Sequence, residues 1–193
     1  MVGGVPLVYR GGGENIISSY DFKDIASGIG YEVFYLMVAN HGTDGVKYIL
    51  TPNSAFYSYT PETVTTSGTA YTFDSSTFNL PRVVKGTAVV NIGLDVTASG
   101  GDDTVAAQLW KWDGTTATAI TAQVTTPVVN TSIMISFAIP CTETMIKQGE
   151  ALRLIITMAV NDGDITWGHD PAGRTSDTAF SSSRINVPFK VDA

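Results

Sequence analysis

From about residue 69 onward this chain alternates apolar and polar residues with a period of two, segment after segment. Val90, Ile92, Leu94 and Val96 take alternate places, with Asn91 and Asp95 between them. Ile133, Ile135, Phe137 and Ile139 repeat the pattern. So do Leu152, Leu154, Ile156 and Met158, and then Ile185, Val187, Phe189 and Val191. A period of two puts one row of side chains on each face of an extended strand, whereas a helix needs a period near 3.6. Such segments fold into sheets with one face turned inward. Composition agrees: 25 Thr, 15 Ser, 19 Gly and 19 Val stand against 8 Leu, 6 Lys and 5 Glu. β-Branched and turn-forming residues therefore dominate the good helix formers, which excludes a helix bundle or coiled coil. A TIM barrel would need about 250 residues and alternating helices, and this chain has 193 residues.

The alternation predicts strands over residues 71–80, 85–97, 105–112, 117–125, 132–139, 152–158, 165–168 and 184–191. Ser99-Gly100-Gly101-Asp102-Asp103, Asp113-Gly114 and Asp162-Gly163-Asp164 supply turns between them. Eight antiparallel strands in two facing sheets is the jelly-roll count. An immunoglobulin-like sandwich is the alternative, but its Cys–Trp–Cys signature is missing. The expected architecture is all-β: an eight-stranded antiparallel jelly-roll-like sandwich over residues 67–193. Ahead of it, residues 20–66 read as a small N-terminal β-hairpin subdomain or sheet extension, with strands over 31–39, 46–50 and 54–60. Residues 1–19, with Gly3, Gly4, Pro6 and Gly11-Gly12-Gly13, read as an extended flexible arm.

Several functions are excluded by what the chain lacks. The net charge is −7, and the 11 basic residues are scattered. Nucleic-acid binding needs a concentrated cationic surface, so no nucleic-acid partner is expected. The apolar runs at 33–39 and 154–160 are too short for a membrane span, so no membrane partner is expected either. No basic leader followed by a continuous apolar core opens the chain. Cys141 is the single cysteine, and it reads as a small buried hydrophobe. His41 and His169 are the two histidines, and no Gly-x-Ser-x-Gly elbow accompanies them. Zinc spacings are absent. Asp102, Asp103, Asp162, Asp164 and Asp170 offer loop oxygens suited to calcium, but Asp-Gly is first a turn signal. Gly11-Gly12-Gly13 is not followed by Lys-Ser/Thr, so it is no phosphate loop. The expectation is a chain with no metal, no cofactor and no catalytic residues, and therefore no enzyme.

Two sets of residues remain as binding candidates. Val5, Leu7, Val8 and Tyr9 give the arm an apolar tetrad that a purely solvated tail would not need. Phe34 and Tyr35 lie in a run that is apolar on both faces, which must be covered twice and suits a subunit interface. These six are the expected docking residues. Trp110 and Trp112 share one strand face and would form a platform for sugar rings if exposed.

Three stretches also carry a resemblance. They are Tyr20-Asp21-Phe22-Lys23-Asp24-Ile25-Ala26-Ser27-Gly28-Ile29-Gly30 with the aromatic strand and Lys47-Tyr48-Ile49-Leu50-Thr51 after it; Leu109-Trp110-Lys111-Trp112-Asp113-Gly114 with Lys147-Gln148-Gly149-Glu150-Ala151-Leu152-Arg153-Leu154; and Gly168-His169-Asp170-Pro171-Ala172-Gly173-Arg174 with Ile185-Asn186-Val187-Pro188-Phe189-Lys190-Val191. Together they resemble the jelly-roll virion accessory proteins of tailed bacteriophages, over most of the chain. The resemblance implies a capsid decoration (cement) protein, a head fibre or a tail-associated module, and it carries no active-site residue. The expected role is a decoration protein made in the host cytoplasm and placed on the capsid surface. It would bridge major capsid subunits as a homo-oligomer, a trimer by preference, with the arm adding a strand across a neighbour's edge. The alternative is a receptor- or carbohydrate-binding module of a fibre or tail.

Overall fold

A computed structural model describes residues 29–40, 46–53, 61–96, 103–129, 131, 133–161, 163–168 and 183–190. The expected arm and the strand expected over 54–60 lie outside these residues, as do His41, His169, Asp102, Asp162 and Asp170. The described residues form twelve strands and no helix. In chain order these are β1 (Ile29–Asn40), β2 (Val46–Thr51), β3 (Pro61–Val64), β4 (Thr69–Ser75), β5 (Arg82–Val96), β6 (Thr104–Trp112), β7 (Ala117–Ala119), β8 (Val124–Thr125), β9 (Ile133–Ile146), β10 (Ala151–Ala159), β11 (Ile165–Gly168) and β12 (Arg184–Lys190). The all-β expectation holds. Where eight strands are expected over 67–193, nine (β4–β12) are found among the described residues, and with β1–β3 they form one mixed sheet rather than a purely antiparallel one, because β2 joins β4 in parallel through Ile49 and Leu50.

The strand order explains where the core sits. One half runs β9–β5–β12–β1, with β11 and β3 continuing from the far end of β5. β2 leads from β1 into the other half, β4–β10–β6, whose last edge carries β7 and β8. The two margins meet at an isolated bridge between Thr121 and Cys141. The inward rows of the two halves then share one hydrophobic cluster. Val90, Ile92, Ile185 and Val187 come from one side, and Phe73, Leu109, Leu154 and Ile156 from the other. Six of these eight, all but Phe73 and Leu109, belong to the alternating rows of the sequence. β1 and β2 lie within the sheet, between β12 and β4.

The departures are local. The strand expected over 71–80 ends at Ser75, whose hydroxyl accepts the Leu152 N–H at 2.9 Å. The chain then turns so that Phe78 exchanges backbone bonds with Glu150 and Gly149. Leu80 is left 73% exposed. The segment 117–125 splits into β7 and β8 because Ile120 and Thr121 turn toward β6, where the Thr121 hydroxyl accepts the Leu109 N–H at 2.9 Å. β9 runs on past Ile139 through Pro140 and Cys141 to Ile146. A proline is tolerated there because the strand lies at a margin.

Trp167 on β11 is fully buried at the centre of an aromatic cluster, with ring centroids 5.0 Å from Tyr71 and 5.8 Å from Phe73, both edge-on. Emptying a site of this size leaves a cavity that its neighbours fill only in part. Trp167→Ala is expected to lower the unfolding free energy by about 3–5 kcal/mol in urea denaturation. Leu80→Ala should change it by under about 0.5 kcal/mol.

Candidate functional site

The outer face of β4, β10 and β6 carries the tryptophan pair. Leu109 faces the core, so Trp110 and Trp112 face outward, and both are half-buried. β10 brings Arg153 directly opposite Trp110. The Arg153 guanidinium donates from Nε and Nη2 to both carboxylate oxygens of Asp74, at 2.6 and 2.7 Å. Its carbon lies 3.9 Å from the centre of the Trp112 ring. A bidentate carboxylate fixes the plane of the guanidinium, and the planar cation stacks on the indole. The Asp74 carboxylate raises the Arg153 pKa, so the charge is permanent. Arg153 thus occupies the ring face that a sugar platform would present. The Trp110 Nε1–H is buried without a hydrogen-bond partner among the described residues.

The docking candidates separate. Phe34 is 3% exposed and belongs to this chain's own core, edge-on to Phe189 at 6.5 Å. Tyr35 points the other way and is half-buried. Leu36 and Met37 are consecutive, so they face opposite ways, and both are buried. The double cover that the sequence demanded for this strand is therefore met within the chain at that point. Val5, Leu7, Val8 and Tyr9 lie outside the described residues.

Two open grooves lie among the described residues. One, of about 270 Å³, is lined by Glu32, Phe78, Leu80 and Arg82 among others. There Arg82 pairs with Glu32 and sits 5.3 Å from the Phe78 ring and 5.2 Å from the Phe189 ring. The other, of about 410 Å³, lies beside β9 and is lined by Val128, Val129, Ile133, Ile135 and Phe137. Its lining is mixed, because Thr126, Thr131 and Ser136 stand among these apolar side chains.

A fourth arrangement could not be read from the sequence. Glu62 of β3 stands opposite Trp167 of β11, and its Oε1 accepts the Tyr48 hydroxyl at 2.7 Å. Tyr48 packs edge-on against Tyr71 at 5.4 Å. Burial, then the bond to Glu62, pushes the Tyr48 phenol well above its usual value of 10.0. Burial, then the Glu62 charge, raises Tyr71 too. Both phenols stay protonated and fasten β2, β3, β4 and β11 around one carboxylate.

Among the described residues no three His, Cys, Asp or Glu side chains converge as a metal site. Asp103 is fully buried, and its Oδ1 accepts the Asn161 N–H at 2.7 Å. Cys141 is half-buried against the core, and burial raises its thiol pKa, which disfavours the reactive thiolate.

No family model matches this chain, and no curated protein is similar to it in sequence. Solved structures do share its fold. Over 84% of its length it superposes on a CocE/NonD family hydrolase from Staphylococcus aureus, with a TM-score of 0.59 at 13% identity. An aminopeptidase from the marine sediment archaeon Thaumarchaeota archaeon matches over 84% of the chain, with a TM-score of 0.56 at 8% identity. The chain spans 37% of the length of each. At these identities the likeness shows the fold alone. It nevertheless corrects the expectation that set this chain apart from enzymes, because the same β-architecture is part of hydrolases. Eiger TNF from S. frugiperda and the Gt strain of infectious bursal disease virus also align over more than 80% of the chain. Their TM-scores of 0.38 and 0.37 are too low to carry an argument.

The Glu62 clasp generates a pH prediction. A phenol whose pKa is raised by folding contributes stability that is complete below its unfolded value and is lost as pH rises through the folded one. The urea midpoint should stay level up to about pH 9 and fall above about pH 10. Tyr48→Phe should flatten that alkaline slope, with Tyr71 accounting for what remains.

Proposed function

We propose that this chain is a structural assembly module: a jelly-roll-like β-protein that decorates a tailed-phage capsid. It would bridge major capsid subunits as an oligomer, a trimer by preference. It would be made in the host cytoplasm and end on the virion surface. The observation that carries the reading is the distribution of exposed apolar side chains. Tyr31, Val33, Met134 and Met145 are exposed large hydrophobics on the outer face of the β1–β12–β5–β9 half. Val128 and Ile133, also exposed, line the groove beside β9. Four of the seven exposed large hydrophobics among the described residues thus share this outer face, and such a patch marks a face that a partner covers. The opposite outer face is closed by the Asp74–Arg153–Trp112 stack. Stacking by Arg153 also weighs against the sugar-platform alternative. Many weak copies on a lattice gain avidity from one another, so a modest patch per subunit suffices.

A second reading rests on the shared fold with the two hydrolytic enzymes: the chain works as a β-module beside a hydrolase. An ester- or peptide-cleaving partner that co-purifies with the chain would support it.

Two measurements test the first reading. In light scattering the purified protein should run as an oligomer, and it should sediment with capsid shells. Val33→Glu and Met145→Glu, which place charges on the apolar face, should each weaken shell binding by about tenfold or more while the urea midpoint stays near that of the parent. A folded monomer with no affinity for any shell would sink the proposal.

A further inference from the structure

β9 lies at a margin of the sheet. β5 pairs with one of its edges throughout. Along residues 135–139 no described strand pairs with the other edge, and the Thr121–Cys141 bridge lies past that stretch. Edge strands are commonly blunted by charges, prolines or a covering segment. Residues 133–142 contain no charge, and Pro140 is their single proline. Beside this edge opens the groove of about 410 Å³. Residues 133–137 line it along the edge: Ile133, Ile135 and Phe137 on the face shared with Leu94, Ile92 and Val90 of β5, and Met134 and Ser136 on the other. Val128 also lines it; it is 50% exposed and Ile133 is 48% exposed. Unpaired backbone groups along an edge, beside a groove with apolar side chains in it, are what an extended apolar segment requires.

The chain carries such a segment. Val5, Leu7 and Tyr9 alternate over five residues with no charge among them. The tether can be measured. β1 starts at Ile29, opposite Lys190 of β12; the next residue of β12, Phe189, faces Val84 of β5, and Val84 faces Thr144 of β9. Three strand spacings of about 4.8 Å and seven residues of about 3.3 Å put Phe137 roughly 27 Å from Ile29. Residues 10–28 span up to about 65 Å when extended. That is more than twice what the chain's own groove requires, so a neighbouring copy is within reach.

We propose that residues 5–9 of a second copy of this chain fill the β9 groove by strand addition. The inference rests on the assembly reading and names the surface through which copies join. Such head-to-tail exchange closes into a ring whose order is set by the rotation between copies, three for a trimer.

The test uses the full chain carrying Leu7→Asp and Tyr9→Asp, with a fluorescent peptide of residues 3–11 as probe. The parent should run as an oligomer and the double variant as a monomer. The peptide should bind the double variant, and a scrambled peptide should not. Adding Ile133→Lys, at an exposed site, should weaken peptide binding at least tenfold. Phe137→Lys should do the same, and the Ile133→Lys result stands alone if that variant does not fold. An oligomeric double variant that ignores the peptide overturns this proposal and leaves assembly to another surface. A monomeric parent overturns exchange between copies, even if the peptide binds.

Discussion

The shared core between the two halves of one sheet is the constraint on which the rest depends. Val90, Ile92, Ile185 and Val187 are buried only because Leu109, Leu154, Ile156 and Phe73 face them. Neither half could keep its inward row dry alone. The halves are connected through β2, and its pairing with β4 covers two residue pairs. The folded-over arrangement is therefore held by apolar contact across the core far more than by hydrogen bonds along the sheet. The aromatic cluster around Trp167 and the Tyr48–Glu62 bond fasten one end of that contact.

Fixing the inward rows also fixes what faces out, and the two outer faces differ in kind. On β4, β10 and β6 the outward side chains satisfy one another: Asp74 orients Arg153, and Arg153 covers Trp112. On β1, β5 and β9 the outward chains include Val33, Met134 and Met145, with the Lys85–Glu143 pair between. One face is chemically complete as it stands. The other exposes apolar area to water, and that asymmetry is the physical basis for treating it as the working surface.

The strands were legible in the sequence because period-two alternation is a local signal. The rows on β5, β9, β10 and β12 were all visible, and so was the common face of Trp110 and Trp112. What escaped was set by distant residues. The tail of the strand expected at 71–80 leaves the sheet because its backbone finds Gly149 and Glu150. Arg153 reaches Trp112 through the register of β10 on β6, which no spacing within either segment announces. The Glu62 clasp draws on four strands spread from residue 48 to residue 167. Phe34 looked like interface because its run is apolar on both sides, but both sides are covered within the chain near Met37.

The position of β12 has a consequence for how the molecule is made. It lies between β1 and β5, pairing Arg184 with Tyr35 on one side and with Asn91 on the other. Strands separated by some 150 residues of sequence must therefore wait for each other, and such long-range pairing is slow. Without residues 184–190 the facing edges of β1 and β5 would be left unpaired there, and the core would lack Ile185, Val187 and Phe189. The apolar outer face of this half is a defined surface only once β12 has joined β1 to β5.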